Sequence, residues 1–162
     1  MAFICAICGE THTELPDIGA SSPFYWADEY QKDPQSLLTN DLCIIEARDF
    51  FVRGVIEIPI HDYEYAFGWG VWVSHKKENF ETYRKHFDSA DIGPFFGWLS
   101  TSIDYFSEPA LQLKTMVHYR GGKLRPLIMI EKTEHLLSRQ QHEGISLQEA
   151  WKIVHHYTKE SN

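Results

Sequence analysis

An alternation of apolar and polar side chains over residues 50–60 constrains the fold of this chain most strongly. Val52, Ile56 and Ile58 fall on one face of an extended segment, and Arg53 and Glu57 fall on the other, because successive side chains of a strand point to opposite sides. Residues 66–74 resume the alternation after a short polar loop, so the two segments predict a β-hairpin with one buried face. We therefore expect the chain to be organised around a sheet.

The remaining patterns predict further strands in the middle of the chain and helices towards its ends. The predicted strands cover 42–45, 113–120 and 124–131, and the predicted helices cover 24–31, 76–88, 133–144 and 147–159. Ser146 has the position of a helix cap, Glu149 would complete a capping box, and Trp151 lies on the apolar stripe of the last helix. Strands grouped between helices predict an α+β fold with a mainly antiparallel sheet.

Length and composition favour one folded domain. The chain has 162 residues, of which 43% are hydrophobic and 14% aromatic, and a chain of this length buries about 70% of its unfolded surface. We expect a single domain over 1–162, with an N-terminal cysteine turn at about 3–14, a sheet core at about 40–131 and C-terminal helices at about 133–159.

Charge and hydropathy exclude several classes of partner. The formal net charge of −8, without a long run of Lys or Arg, argues against nucleic acid. No apolar run is long enough to span a membrane, and the first residues lack the pattern of a signal peptide. We therefore expect a cytoplasmic protein whose partner is another protein or a small molecule.

The cysteines indicate a possible zinc site. Cys5 and Cys8 are separated by two residues, a spacing at which two thiolates can bind one tetrahedral ion. Cys43 and His12 are the first candidates for the other ligands, which makes a structural zinc one expectation. The alternative is three reduced and partly buried cysteines, because the chain lacks the second Cys-x-x-Cys pair of a zinc ribbon.

A second candidate site is polar and lies on the predicted sheet. Arg53 and Glu57 share the outer face of one strand, and His118 and Arg120 share a face of another, so the four would converge near Trp72 if the two faces coincide. The alternative interpretation is a solvated sheet face whose charges serve solubility.

Several sequence blocks occur together in an order typical of one family. The blocks are Cys5-x-x-Cys8-Gly9-x-x-His12, Asp41-Leu42-Cys43, residues 51–59, 67–74, 96–99, 113–115, 117–118, 124–128 and 143–145. With these blocks the chain resembles DUF2199, a bacterial family of unknown function, from Cys5 to about Val154. The resemblance implies a small bacterial domain and carries no activity to this chain.

Two functions remain in competition at this point. The first is a binding or interaction module whose N-terminal turn is held by a structural zinc. The second is a small enzyme in which Glu57 and His118 act as acid and base while Arg53 or Arg120 holds an anionic substrate. The enzyme requires Glu57 and His118 to lie within hydrogen-bond reach of each other.

Overall fold

A mixed sheet with helices packed on it forms the protein, in a computed structural model that describes residues 3–4, 11–12 and 15–158. The strands are β1 (Phe3–Ile4), β2 (Thr11–His12), β3 (Ile18–Gly19), β4 (Leu37–Leu38), β5 (Leu42–Ile45), β6 (Asp49–Ile58), β7 (Phe67–His75), β8 (Phe95–Trp98), β9 (Lys114–His118) and β10 (Leu127–Ile130). The helices are α1 (Lys77–Lys85), α2 (Leu136–Glu143) and α3 (Leu147–Thr158), with a 3-10 helix at Asp28–Lys32. The predicted α+β class is confirmed.

The sheet is mostly antiparallel, as predicted, but two of its pairings are parallel. Within the described residues eight strands belong to it, and six follow one another in the order β3-β7-β6-β10-β9-β8, while β5 joins β4 to β6. The pairs β3–β7 and β6–β10 are parallel. β1 and β2 form a separate antiparallel pair. The hairpin of β6 with β7, which the alternation predicted, is the longest pairing in the sheet.

Strand β6 changes its neighbour halfway along. Its first half pairs with β5 up to Val52 opposite Leu42, and its second half pairs with β10 at Val55 opposite Leu127. Gly54 lies at the exchange, where an added Cβ would come within 2.6 Å of Cδ1 of Ile128. A glycine therefore allows β10 to approach β6 at this point. The exchange leaves a gap between the starts of β5 and β10.

The two faces of the sheet bury different cores. The inner face carries Val52, Ile56 and Ile58, all fully buried beneath the helices. On part of the outer face, a smaller cluster of Cys43, Ile45, Phe51 and Trp72 is covered by side chains from residues 20–38.

The helix predicted over 24–31 is wrong in extent. Only Asp28–Lys32 is helical, and it is a 3-10 helix. The backbone N–H of Phe24 donates to Ser100 O at 2.8 Å, and Trp26 and Tyr30 pack on the outer cluster. These long-range contacts hold the segment in a conformation that local propensity does not predict.

The sheet curves, so that the end of β8, the last strand in its order, lies beside β7. Val73 forms an isolated antiparallel bridge with Leu99, directly after β8. The backbone N–H of Ser100 donates to Trp72 O at 2.8 Å. The aromatic and glycine residues of β8 show no clear period in the sequence, so its pairing depends on these long-range contacts.

The last helix is docked as predicted. Trp151 is 4% exposed, and the Ser146 hydroxyl accepts the Glu149 backbone N–H at 3.1 Å. The capping box is not completed as expected, because the Glu149 carboxylate accepts the Tyr105 hydroxyl at 2.8 Å instead. Among the helices in the described part of the chain, none has the length and apolarity needed to cross a membrane.

Candidate functional site

A charged groove opens on the outer face of the sheet where β6 exchanges β5 for β10. It has a volume of about 700 Å³ and a floor that includes the glycines of β3, β6 and β7. We call it the cationic groove. Its positively charged residues are Arg53, Arg120, Lys123 and Arg125, and its negatively charged residues are Asp17, Asp41 and Glu57. The groove thus carries a local excess of positive charge on a chain whose formal net charge is −8.

Arg53 lines this groove from strand β6. Its guanidinium carbon is 5.8 Å from the ring centroid of Trp72, the residue directly opposite it on β7. Nη1 donates to Asn40 O at 3.3 Å, while Nε is buried and has no hydrogen-bond acceptor among the described residues. The planar group is therefore held in place with part of its donor capacity unused.

The two neighbouring arginines are engaged with carboxylates. Arg125 Nε lies 3.1 Å from Asp41 Oδ1, and Arg120 Nη1 lies 3.7 Å from Glu57 Oε1. Arg120 also donates from Nε and Nη2 to Arg125 O, at 2.8 and 2.6 Å. The Arg125–Asp41 pair spans the starts of β5 and β10, and the Arg120 bonds hold the β9–β10 connection against β6.

The pKa of Arg53 is lowered from its ordinary value. Burial of the guanidinium is the main cause, repulsion from Arg125 adds to it, and attraction to Asp41 opposes it. Arginine remains protonated in proteins even so. The lowered pKa therefore reflects burial beside a second arginine, which the attraction to Asp41 offsets only in part.

The glycines of β7 leave room for the segment of β3. Gly19 of β3 pairs with Gly70, and an added Cβ on Gly70 would lie 3.2 Å from Gly19 Cα. The Asp17 carboxylate accepts the Gly68 backbone N–H at 3.0 Å. A side chain at Gly70 would therefore meet the backbone of β3, and one at Gly68 would meet Asp17.

The predicted contact between Glu57 and His118 is wrong. Strand β10 lies between β6 and β9, and Leu127 pairs with Val55 on one side and with His118 on the other. His118 shares the outer face but is separated from Glu57 by a whole strand, and Glu57 faces Arg120 instead. The acid–base pair of the enzyme hypothesis is therefore not assembled.

Cys43 has surroundings that favour a buried thiol. It is fully buried against Phe51, Trp72 and other apolar side chains, and burial raises its pKa to about 12. Zinc binds the thiolate form, which such a site disfavours. Among the described residues, no group of three or more His, Cys, Asp or Glu side chains could hold a metal.

The other predicted zinc ligands are not described at the side-chain level. Cys5 and Cys8 lie outside the described residues, and the backbone of His12 belongs to β2. Their participation in a metal site stays a prediction.

Comparison with protein families identifies the chain. The model of a family described as "Uncharacterized protein conserved in bacteria (DUF2199)" matches residues 4–145. The chain belongs to the DUF2199 family. A search of curated proteins and a search of solved structures found no match.

In this DUF2199 chain, the sequence located part of the groove and missed the rest. Arg53, Glu57 and Arg120 were expected on one polar face and do line the groove. Trp72 was expected as a ligand contact. It is fully buried, and the Arg53 guanidinium lies over its ring. Asp41 lies just before β5 and comes beside Arg53 only through the β5–β6 register, which no local pattern in the sequence indicates.

Proposed function

We propose that this DUF2199 protein is a binding module whose cationic groove captures the acidic group of a ligand, a carboxylate or a phosphate. Arg53 is the central anion-binding residue, and Arg120 and Arg125 flank it. The observation that carries the proposal is the state of Arg53, the groove arginine for which the described residues supply no ion pair.

The arrangement suits an oxyanion for three physical reasons. A guanidinium presents a planar fork that matches a carboxylate or phosphate, and Nη2 of Arg53 has no hydrogen bond to a described residue, while Nη1 donates to Asn40 O. The aromatic ring of Trp72 fixes the plane of the fork, which lowers the entropy lost on binding. The groove volume of about 700 Å³ lies within the range of small-molecule sites.

Binding is favoured over the enzyme hypothesis by the same geometry. Each carboxylate of the groove has a partner: Glu57 forms an ion pair with Arg120, Asp41 accepts a hydrogen bond from Arg125, and Asp17 accepts the Gly68 backbone N–H. His118, the proposed base, is on the far side of β10. The groove therefore has arginines that can bind and orient an anion, and its carboxylates are already paired.

The test is a calorimetric titration of the full chain with inorganic phosphate and with acetate at low ionic strength. We expect saturable binding that Arg53→Gln weakens by about tenfold or more, because a hydrogen bond to a charged group contributes about 1.5–3 kcal/mol. Arg53→Lys should bind with intermediate affinity, since it keeps the charge and loses the fork.

A charge-matched control separates the groove from general electrostatics. Arg139→Gln removes the same charge from α2, where Arg139 is paired with Glu143 at 3.6 Å. Equal weakening in the Arg53 and Arg139 variants would contradict the proposal, and so would the absence of saturation with both anions. Thermal unfolding of each variant checks that the fold is retained.

A further inference from the structure

A second cavity lies on the outer face, at the seam where the curved sheet closes. It has a volume of about 470 Å³ and shares no lining residue with the cationic groove. Four aromatic side chains line it, Tyr25, Tyr30, Phe51 and Trp98, and we call it the aromatic cavity. It plays no part in the function proposed above.

The aromatic walls of this cavity are held in place and yet accessible. Tyr25 stacks on Phe51 with a centroid distance of 5.9 Å and an interplanar angle of 26°, and its hydroxyl is hydrogen-bonded to the side-chain amide of Gln112. Tyr25 remains 41% exposed and Trp98 39% exposed. Large exposed rings that are already fixed can stack on a flat ligand at little entropic cost.

The charge of the aromatic cavity is balanced, in contrast to the cationic groove. Arg48 and Asp49 are its charged lining residues, and Arg48 Nε lies 3.4 Å from Asp49 Oδ2. Arg48 Nη2 is also 3.2 Å from Glu46 Oε2. An ionised ligand would lose hydration here without gaining an uncompensated opposite charge.

The cavity also offers hydrogen-bonding groups. The Ser74 hydroxyl oxygen accepts the Trp98 backbone N–H at 3.0 Å, and within the described residues its own proton has no acceptor. The Tyr30 hydroxyl likewise has no hydrogen bond to a described residue. A few polar groups among aromatic walls are the usual composition of a small-molecule site.

We propose that the aromatic cavity binds an uncharged ligand built on a flat ring that carries a hydrogen-bonding group. The ring stacks against Tyr25 and Trp98, and the polar group reaches the Ser74 or Tyr30 hydroxyl. This site is independent of the cationic groove, so either one can fail without the other.

The experiment uses four probes that share one ring: benzyl alcohol, toluene, benzoate and benzylammonium. Each is titrated into the ¹⁵N-labelled full chain while the Trp98 side-chain N–H and the Ser74 amide are followed by NMR. We expect saturable shifts with benzyl alcohol, and weaker binding by several-fold for toluene, which lacks the hydroxyl, and for the two ions.

Variants locate the binding. Trp98→Ala should weaken benzyl alcohol binding about tenfold, because stacking and buried area are both lost, whereas Trp98→Tyr should retain most of it. Phe87→Ala is the matched control, since Phe87 is also 39% exposed and does not line the cavity.

Each contrary outcome overturns a defined part of the proposal. Tightest binding of benzylammonium or benzoate would contradict the uncharged ligand, and tightest binding of toluene would contradict the polar group. Binding that is unchanged in Trp98→Ala, or shifts that never saturate, would overturn the site itself.

Discussion

Acidification should destabilise this protein through His75, a histidine buried beside Tyr119 in the described core. His75 is 7% exposed, its Nδ1 bonds to Ser74 O at 2.8 Å, and its Nε2 bonds to the Tyr119 hydroxyl. In the neutral ring Nδ1 donates to the carbonyl and Nε2 accepts from the hydroxyl. Burial lowers the pKa of His75 from its ordinary value of 6.5 to about 4.

The magnitude follows from proton linkage. Between about pH 6.5 and pH 4 the unfolded chain carries a proton on this histidine and the folded chain does not, so stability falls as the pH falls. Each pKa unit corresponds to about 1.4 kcal/mol. His75 alone should therefore remove about 2 kcal/mol between neutral pH and about pH 5, and about 3 kcal/mol by about pH 4.

Urea unfolding measured at intervals from neutral pH to about pH 5 provides the assay, with the wild type compared against His75→Gln. The variant removes the titrating group, so its free energy of unfolding should depend less on pH by about 2 kcal/mol over that range. His118→Gln, which changes an exposed histidine, should keep the wild-type slope. Parallel pH profiles for wild type and His75→Gln would refute the reasoning.

Three further predictions concern the fold and the cysteines. Trp151→Ala should lower the free energy of unfolding by about 3–5 kcal/mol, the usual loss for a buried aromatic, and an unchanged urea midpoint would contradict the docking of α3. Gly54→Ala should lower the free energy of unfolding by about 1–3 kcal/mol, because its Cβ would lie 2.6 Å from Ile128. Wild-type stability in thermal unfolding would argue against the close approach of β10 to β6 at Gly54. Elemental analysis of protein purified without chelators should find zinc that Cys5→Ser loses and Cys43→Ser retains, and metal-free wild-type protein would remove the zinc prediction.

The parts of the fold that the sequence predicted are those set by one-sided burial. Val52, Ile56 and Ile58 alternate with Arg53 and Glu57 because one face of β6 meets the core and the other meets the groove, and that contrast is visible in the residues themselves. The C-terminal helix was equally clear, since its cap and apolar stripe are local signals.

The parts that the sequence could not predict depend on non-local pairing. Nothing local indicates that β6 leaves β5 for β10 at Gly54, because the exchange is fixed by Pro126 and Ile128, more than seventy positions further along. Because β10 pairs with β6 there, it lies between β6 and β9 and separates His118 from Glu57. The local sequence pattern therefore predicted which face of the strand carries the charged side chains of the groove. It could not predict which charged side chains lie next to each other, because the order of the strands decides that.

The central claim, that Arg53 is the anion-binding residue of the cationic groove, is tested most directly by NMR of the arginine side chains. The Nε–H of Arg53 is buried, whereas Nη2 has no hydrogen bond to a described residue, so an incoming oxyanion should hydrogen-bond at Nη2 and shift the Nε–H resonance of the same guanidinium. Titration with inorganic phosphate should move the Arg53 Nε–H signal along a saturable curve, with the peak assigned by its loss in Arg53→Gln. A signal that stays in place while phosphate reaches saturating concentration would contradict the account.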